Sequence, residues 1–496
     1  LGSTTKNIEY NRISEATIVT YLSNQRLCIM KNALSWTLIL MIGGVKFDTS
    51  SSESPAKKNN GPLLLTPYIK DRQIWKARNA SKVDLFKTKA NVTAYSGFIT
   101  VNSPCNNSLF FLFLVSENNK TDDPLTLWTQ GGPGLSALFG ELLENGPIAY
   151  DVGTNNFSIR NNTLQKISNI IYLDLPVGAG FSFTEDNQCY SKSLTDITND
   201  VMEFLEQFLV LFPEYICRAF YVAGESYAAR YSVSIANRML NSNNDKLLLL
   251  KGVIGGNGFL SPILSLADSS EFMYQLSMLD KNGRDTFSKK FEEMRNDKNP
   301  WTVISELSRT LFTNETTHTL YQNLTLYNDY LSPLLTERSP SVIGCFFLLN
   351  NNSEFKSALH VDPSAPFQYN NTDLLQGLVS DYLTNISDML SNVLSNTSVL
   401  LYSGQLDPLF PSVNQLAYLS TLQWRGADAY KNASRYLWKP TNEAYYFAGF
   451  LTKTSNFTYA VMLGMSHYGA ADKPDEVYHL MKEFMTNNSG AVDSTS

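Results

Sequence analysis

Histidine is scarce in this 496-residue chain: His318, His360, His467 and His479 are the four that occur. Any reaction that uses an imidazole base must draw on one of these positions. Cysteine is nearly as rare. The five, Cys28, Cys105, Cys189, Cys217 and Cys345, show no C-x-x-C spacing, so no metal site is expected. Charge is also thin, at 17% of residues, with a net value of -7 and no basic stripe. Nucleic acid is therefore not an expected partner. The apolar run at 33–42 is too short to span a bilayer comfortably, and no membrane span is expected in the mature chain. Hydrophobic residues nevertheless reach 43%, which supports a sizeable folded core and excludes disorder as the general state.

What is present begins with targeting. Met30, Lys31 and the run 33–42 have the charged and apolar regions of a signal peptide, read as residues 30–45. Met30 is then the expected start, with residues 1–29 an upstream segment and 46–61 a polar linker. Asn-x-Ser/Thr sequons occur at Asn79, Asn91, Asn106, Asn119, Asn156, Asn161, Asn314, Asn323, Asn351, Asn370, Asn385, Asn396, Asn432, Asn456 and Asn487. Their density points to a glycoprotein of the secretory route, extracellular or lysosomal. With Cys28 outside the mature protein, the other four cysteines allow three pairings, and some can instead be buried thiols.

The apolar pattern predicts alternating strands and helices. Residues 95–101 and 109–115 read as a β-hairpin, rich in aromatic and β-branched side chains. Further strands are expected at 124–128, 169–174, 218–224, 247–254, 399–404 and 459–463. Helical spacing places Ile197, Val201, Phe204, Leu205 and Phe208 on one face of a helix over 194–211. Helices are also expected over 229–240 and 475–485. This alternation implies an α/β fold with a mostly parallel sheet covered on both faces. The pattern changes near residue 262. A helical insertion with its return segment is expected over 263–375, between a first core part at 62–262 and a second at 376–490.

Gly224-Glu225-Ser226-Tyr227-Ala228 follows a strand and precedes a helix, close to the G-x-S-x-G nucleophile elbow. A serine nucleophile needs a histidine base, and the base needs an orienting carboxylate. His467 lies in a loop after a late strand, and Asp407 follows the strand ending at Gly404. The order Ser226, Asp407, His467 is that of α/β-hydrolases. His318 lies in the insertion, His360 ends an Ala-Leu run, and His479 falls in the last helix.

Several separated motifs resemble the serine carboxypeptidase family. They are Trp128-Thr129-Gln130-Gly131-Gly132-Pro133-Gly134, Glu144-Asn145-Gly146-Pro147, the stretch from Asp174 to Ser182, and Gly224-Glu225-Ser226-Tyr227. Gly404-Gln405-Leu406-Asp407 and the stretch from Gly464 to Pro474 are similar to that family's acid and base regions. Thr66-Pro67-Tyr68, Ser96-Gly97-Phe98 and Gln130 look most like the vitellogenic-like carboxypeptidases. The resemblance covers roughly 62–485 and implies an α/β-hydrolase that removes C-terminal residues from peptides and proteins, without a cofactor. It also implies an oxyanion hole from the backbone N–H groups of Gly132 and Tyr227. The substrate carboxylate would be read by Trp128, Gln130, Gly131, Glu144 and Glu225. Two carboxyls held together cannot both ionise cheaply, so one keeps a proton and donates to the substrate, an arrangement suited to acidic pH.

Some positions depart from the family pattern. Ala229-Arg230 stands where glycine and lysine are usual, Leu135 and Ala137 replace smaller or hydroxyl residues, and Gln405 replaces a frequent aspartate. In the histidine loop Ser466 replaces a glycine, and Tyr468-Gly469-Ala470-Ala471 replaces an apolar and proline-containing run. Two competing readings remain at the level of sequence: acyl transfer to an alcohol, and a homologue that binds peptides without cleaving them. Retained Glu144 and Glu225 disfavour the first, and an intact triad disfavours the second.

Overall fold

The computed structural model describes residues 61–489 apart from 119, 243–246 and 313–315. The expected signal segment, the linker to residue 60 and Cys28 lie outside the described residues, as do Asn119 and Asn314.

The strands are β1 (Ala94–Asn102), β2 (Asn107–Leu114), β3 (Leu125–Thr129), β4 (Ile148–Asp151), β5 (Asn156–Ile159), β6 (Asn169–Leu173), β7 (Ala219–Glu225), β8 (Leu249–Gly256), β9 (Ser398–Gly404), β10 (Arg435–Trp438), β11 (Gly449–Lys453) and β12 (Phe457–Met462). All but β4 and β5 form a ten-stranded sheet in the order β1-β2-β6-β3-β7-β8-β9-β12-β11-β10. From β6 to β12 neighbouring strands run parallel, and the hairpins at both edges are antiparallel. β4 and β5 make a separate hairpin that the sequence pattern did not reveal.

The inner strands form because they can be dry on both faces. β2, β3 and β6 are buried at every residue, which is why they read as continuous apolar runs rather than alternating ones. Helix α1 (Leu194–Leu211) starts where Ser193 Oγ accepts the N–H of Asp196 at 3.2 Å. It buries the expected stripe from Ile197 to Phe208. α1 packs with α2 (Ala228–Asn241) on one face of the sheet, and α2 packs in turn on α4 (Ser387–Asn396). On the opposite face α5 (Pro474–Ser489) sends Val477, Leu480, Met481 and Phe484 into a second cluster. Between β8 and β9 the described residues form helices without a strand, including α3 (Pro340–Asn351). Three short helices before β1, at Thr66–Lys70, Ile74–Ala80 and Asp84–Ala90, went unread because each is too short to show periodicity.

Cys105 and Cys189 form a disulfide that joins the β1–β2 turn to the segment before α1. Cys345, on α3, is a buried free thiol.

β6 and β7 flank β3 on opposite sides, so the chain leaves β3 first one way and then the other. Open α/β sheets bind ligands outside the carboxyl ends of strands at such a switch point. Gln130, Gly131 and Ser226 lie there, immediately after β3 and β7.

Candidate active site

Ser226 sits between β7 and α2 with φ 57°, a left-handed conformation unusual for a residue with a Cβ. Its backbone is held from both sides. Its N–H donates to Gly256 O at 2.8 Å, and its carbonyl accepts from Phe259 N–H at 2.9 Å. The turn is tight enough that a Cβ on Gly224 would fall 2.5 Å from Ala228 Cβ and 2.8 Å from Thr129 O. Glycine is required at 224, and the alanine ending the motif fits without displacing the elbow.

The other two triad candidates meet as expected. Asp407, fully buried, accepts from His467 Nδ1 at 2.8 Å through Oδ2. Its Oδ1 accepts the N–H groups of Leu409 and Phe410 at 2.9 and 3.0 Å. Burial pulls the His467 imidazole down, but the charge and hydrogen bond of Asp407 outweigh it and leave the ring above its ordinary pKa. Ser226 and His467 line one cavity of about 270 Å³.

Gly131 closes the floor beside the serine. A Cβ there would lie 2.7 Å from Ser226 Cβ and 3.0 Å from Tyr227 N, so only glycine admits this approach. Among the described residues, neither the Gly132 nor the Tyr227 backbone N–H has an acceptor, and Tyr227 N lies at the start of α2. Free N–H groups at a helix N-terminus suit a developing oxyanion.

A buried chain of hydrogen bonds forms the other side of the cavity. Trp128 Nε1 donates to Gln130 Oε1 at 3.1 Å, and Gln130 Nε2 donates to Glu144 Oε1 at 2.9 Å. Glu144 and Glu225 line the same cavity, and Tyr402 OH donates to Glu225 Oε1 at 2.8 Å. Both carboxyls are buried. Burial first, and then the charge of Glu225, holds Glu144 well above the usual carboxylate range. Burial pushes Glu225 up to about 7, against the opposing pull of Tyr402 and His467. The pair therefore holds a proton under conditions that would strip an isolated carboxyl.

Every sequence-predicted machinery residue thus converges on one cavity wall or on the network behind it. Two contributors went unread. Tyr402 lies inside β9 and looked like an ordinary core tyrosine. Gly469 has φ +50°, and a Cβ there would lie 1.8 Å from Glu225 Oε1. The unusual Tyr468-Gly469 pair was visible, but its reason is the carboxylate packed against it.

The departures are absorbed locally. Ser466 N–H donates to Asp472 Oδ2 at 2.8 Å, and its hydroxyl donates to the same oxygen. Tyr468 OH reaches Asp329 Oδ2 at 3.4 Å, and His467 N–H donates to Leu331 O of the insertion at 3.0 Å. Arg230 is fully buried and pairs with Asp381 at 3.0 Å. The sequon asparagines at 79, 91, 106, 156, 161, 323, 351, 370, 385, 396, 432 and 487 are exposed. Asn456 is half-buried, and its Nδ2 donates to Leu394 O and Thr397 O at 2.6 and 3.3 Å.

The sheet, the elbow and the chain order Ser226, Asp407, His467 define an α/β-hydrolase. Residues 85–487 match the family described as serine carboxypeptidase, and the chain belongs to that family as a serine-type carboxypeptidase. It is 34% identical over 438 residues to a venom serine carboxypeptidase of Apis mellifera, covering 86% of this chain and 91% of that protein. It is 32% identical over 448 residues to the probable serine carboxypeptidase CPVL of Homo sapiens, with coverage of 88% and 92%. The vitellogenic carboxypeptidase of Aedes aegypti is 28% identical over 449 residues, with coverage of 88% and 93%. Among solved structures, a prohormone-processing carboxypeptidase of Saccharomyces cerevisiae matches with TM-score 0.67 and 20% identity, covering 83% of this chain and 96% of that one. This last likeness concerns the fold.

Proposed function

We propose that the chain releases C-terminal residues from peptides through an acyl-enzyme on Ser226, with activity that falls away above near-neutral pH. The buried Glu144–Glu225 pair, placed in the same cavity as the serine, carries this reading. An endopeptidase has no use for a buried proton-holding pair beside its nucleophile. An enzyme that must read a free carboxylate does.

In this mechanism Ser226 Oγ attacks the carbonyl carbon of the last peptide bond while His467 Nε2 accepts its proton. Asp407 holds the imidazole by Nδ1 and stabilises the cation. The oxyanion is bound by the N–H groups of Gly132 and Tyr227, each such donor being worth about 3–4 kcal/mol in related chemistry. Collapse breaks the C–N bond, and the proton on His467 passes to the leaving amine. Water, deprotonated by the same imidazole, then attacks the ester and restores Ser226. Before these steps Gln130 and the carboxyl proton shared by Glu144 and Glu225 bind the substrate's terminal carboxylate, with the Gly131 backbone beside it and Trp128 fixing Gln130.

The pH dependence has two limbs. Below the raised pKa of His467 the base is protonated and catalysis falls. Above the apparent pKa of the carboxyl pair the site becomes anionic and repels the substrate carboxylate. The sequon density supports passage through the secretory route, to an extracellular or lysosomal destination. Measuring kcat/KM against pH for a blocked dipeptide and its C-terminal amide tests the reading. The free acid should lose affinity as pH rises through the apparent pKa of the pair, and the amide should not. Parallel loss for both would overturn it.

A further inference from the structure

The turn after β8, Gly256-Asn257-Gly258-Phe259, touches each segment that carries the triad. Gly256 and Phe259 hold the Ser226 peptide through the two bonds described above. Asn257 is fully buried with φ 43°, a region that asparagine tolerates better than most residues. Its N–H donates to Tyr402 O at 2.7 Å. Its side chain does more. Oδ1 accepts the N–H of Gly404 at 2.7 Å, where the chain leaves β9 toward Asp407. Nδ2 donates to Ser466 O at 3.1 Å and to His467 O at 3.0 Å. The amide orientation follows from its partners: Gly404 supplies a donor and the histidine loop supplies two acceptors.

We propose that Asn257 is a positioning residue for this hydrolase, clipping the acid-bearing and base-bearing loops at a fixed separation. The role rests on the peptidase reading. Asp407 and His467 sit on loops after adjacent parallel strands, β9 and β12, which the N–H of Leu406 joins at Met465 O (2.9 Å) but which, among the described residues, have no such direct bond at Ser466 or at the His467 backbone. The Asp407–His467 hydrogen bond aligns the ring only if both loops are held to a common reference. Asn257 is that reference, and the same turn is bonded to the nucleophile's peptide. Ser466 and His467 are held from the core by Asn257 and from the insertion by Leu331 O. Without the amide, the histidine loop would keep its bonds to Leu331 O, Asp472 and Leu406 N–H, none of which fills the carbonyls of Ser466 and His467. The carbonyls of Ser466 and His467 would also lose their donor in a dry site, so the loop would shift to recover partners.

The test uses the full-length enzyme with Asn257→Ala and Asn257→Gly, the second of which relieves the positive φ and preserves the turn. Sites are titrated to completion with a fluorophosphonate, and kcat is expressed per titrated site. We expect full labelling of Ser226 at a slower rate and a kcat lower by about 10- to 100-fold, the scale of a displacement near 1 Å. KM should stay within about twofold, and the acid limb of the kcat/KM profile should move in both variants. A merely structural residue would lower the melting temperature and leave kcat per site and the acid limb at wild-type values, and that result would overturn the proposal. Wild-type enzyme that neither labels at Ser226 nor turns over peptide would overturn the peptidase reading, and this role with it. Wild-type activity alongside unaltered Asn257→Gly kinetics would overturn the positioning role alone.

Discussion

The two sides of the cavity handle buried acid groups in opposite ways. Asp407 has no exposed surface, yet three N–H donors converge on its two oxygens. Glu144 is nearly as buried, but its Oε1 takes one amide donor and its Oε2 has no donor among the described residues, with the Glu225 carboxyl beside it. The first arrangement is built to hold a charge, and the second to hold a proton. At similar depth the two differ in hydrogen-bond supply and in the neighbour each faces, an imidazole in one case and a second carboxyl in the other.

The largest effect should come from the charge-holding side. Ser226→Ala should lower release of C-terminal residues by roughly five to six orders of magnitude, because triad members act as a unit. Folding should be intact by circular dichroism. Substantial activity in this variant would place the nucleophile elsewhere. Next, Gly469→Ala drives a methyl group into the Glu225 carboxylate and strains a backbone at φ +50°. Turnover of free-acid peptides should drop about 100-fold, and fluorophosphonate labelling, which needs no carboxylate, should drop much less. Equal losses would mean that the two sides are not separable.

Glu144→Gln sharpens the contrast by replacing a shared proton with a permanent donor. Wild-type kcat/KM on a free-acid peptide should fall about tenfold per pH unit above the apparent pKa of the pair, and the variant should be nearly flat there. A variant that tracks wild type would remove the pair from carboxylate recognition.

The smallest expected effect is on stability. Burial raises Glu141 to about 8 and Asp174, Asp200 and Glu225 to about 7. Unfolded carboxyls titrate near about 4, so between these values the native state binds more protons than the unfolded state. Stability must then decline as pH rises through that interval. His467, also raised, adds a loss of the same sign as pH passes its folded value. The melting temperature should be several degrees higher near pH 5 than near pH 8. A rise between those values would contradict the protonated state of these groups.

The sequence carried the parallel sheet, helix α1 and the turn that holds Ser226, because burial periodicity and the Gly224-to-Ala228 motif are local. Resemblance pointed to Gln130, Glu144 and Glu225, to which the proposed mechanism assigns the substrate carboxylate. Tyr402 and Asn257 went unread, since their side chains bond partners 177 and 210 residues away. Asn257 did offer a hint: an asparagine between glycines at a strand's carboxyl end is well placed for a left-handed turn. The short helices from Thr66 to Ala90 and the β4–β5 hairpin are held by tertiary packing rather than by their own pattern.

The Cys105–Cys189 bridge closes a loop with a sequence separation of 84. On a chain-entropy view, removing a tie of that span costs about 4–5 kcal/mol, a large share of a typical folding free energy. Thiol chemistry thereby becomes a gate on where this hydrolase can persist. In a reducing compartment the β1–β2 corner would come loose from the segment leading into α1, and quality control would meet a far less stable chain. Only after oxidation would the enzyme reach its full resistance to unfolding, which couples its working lifetime to the compartment that receives it.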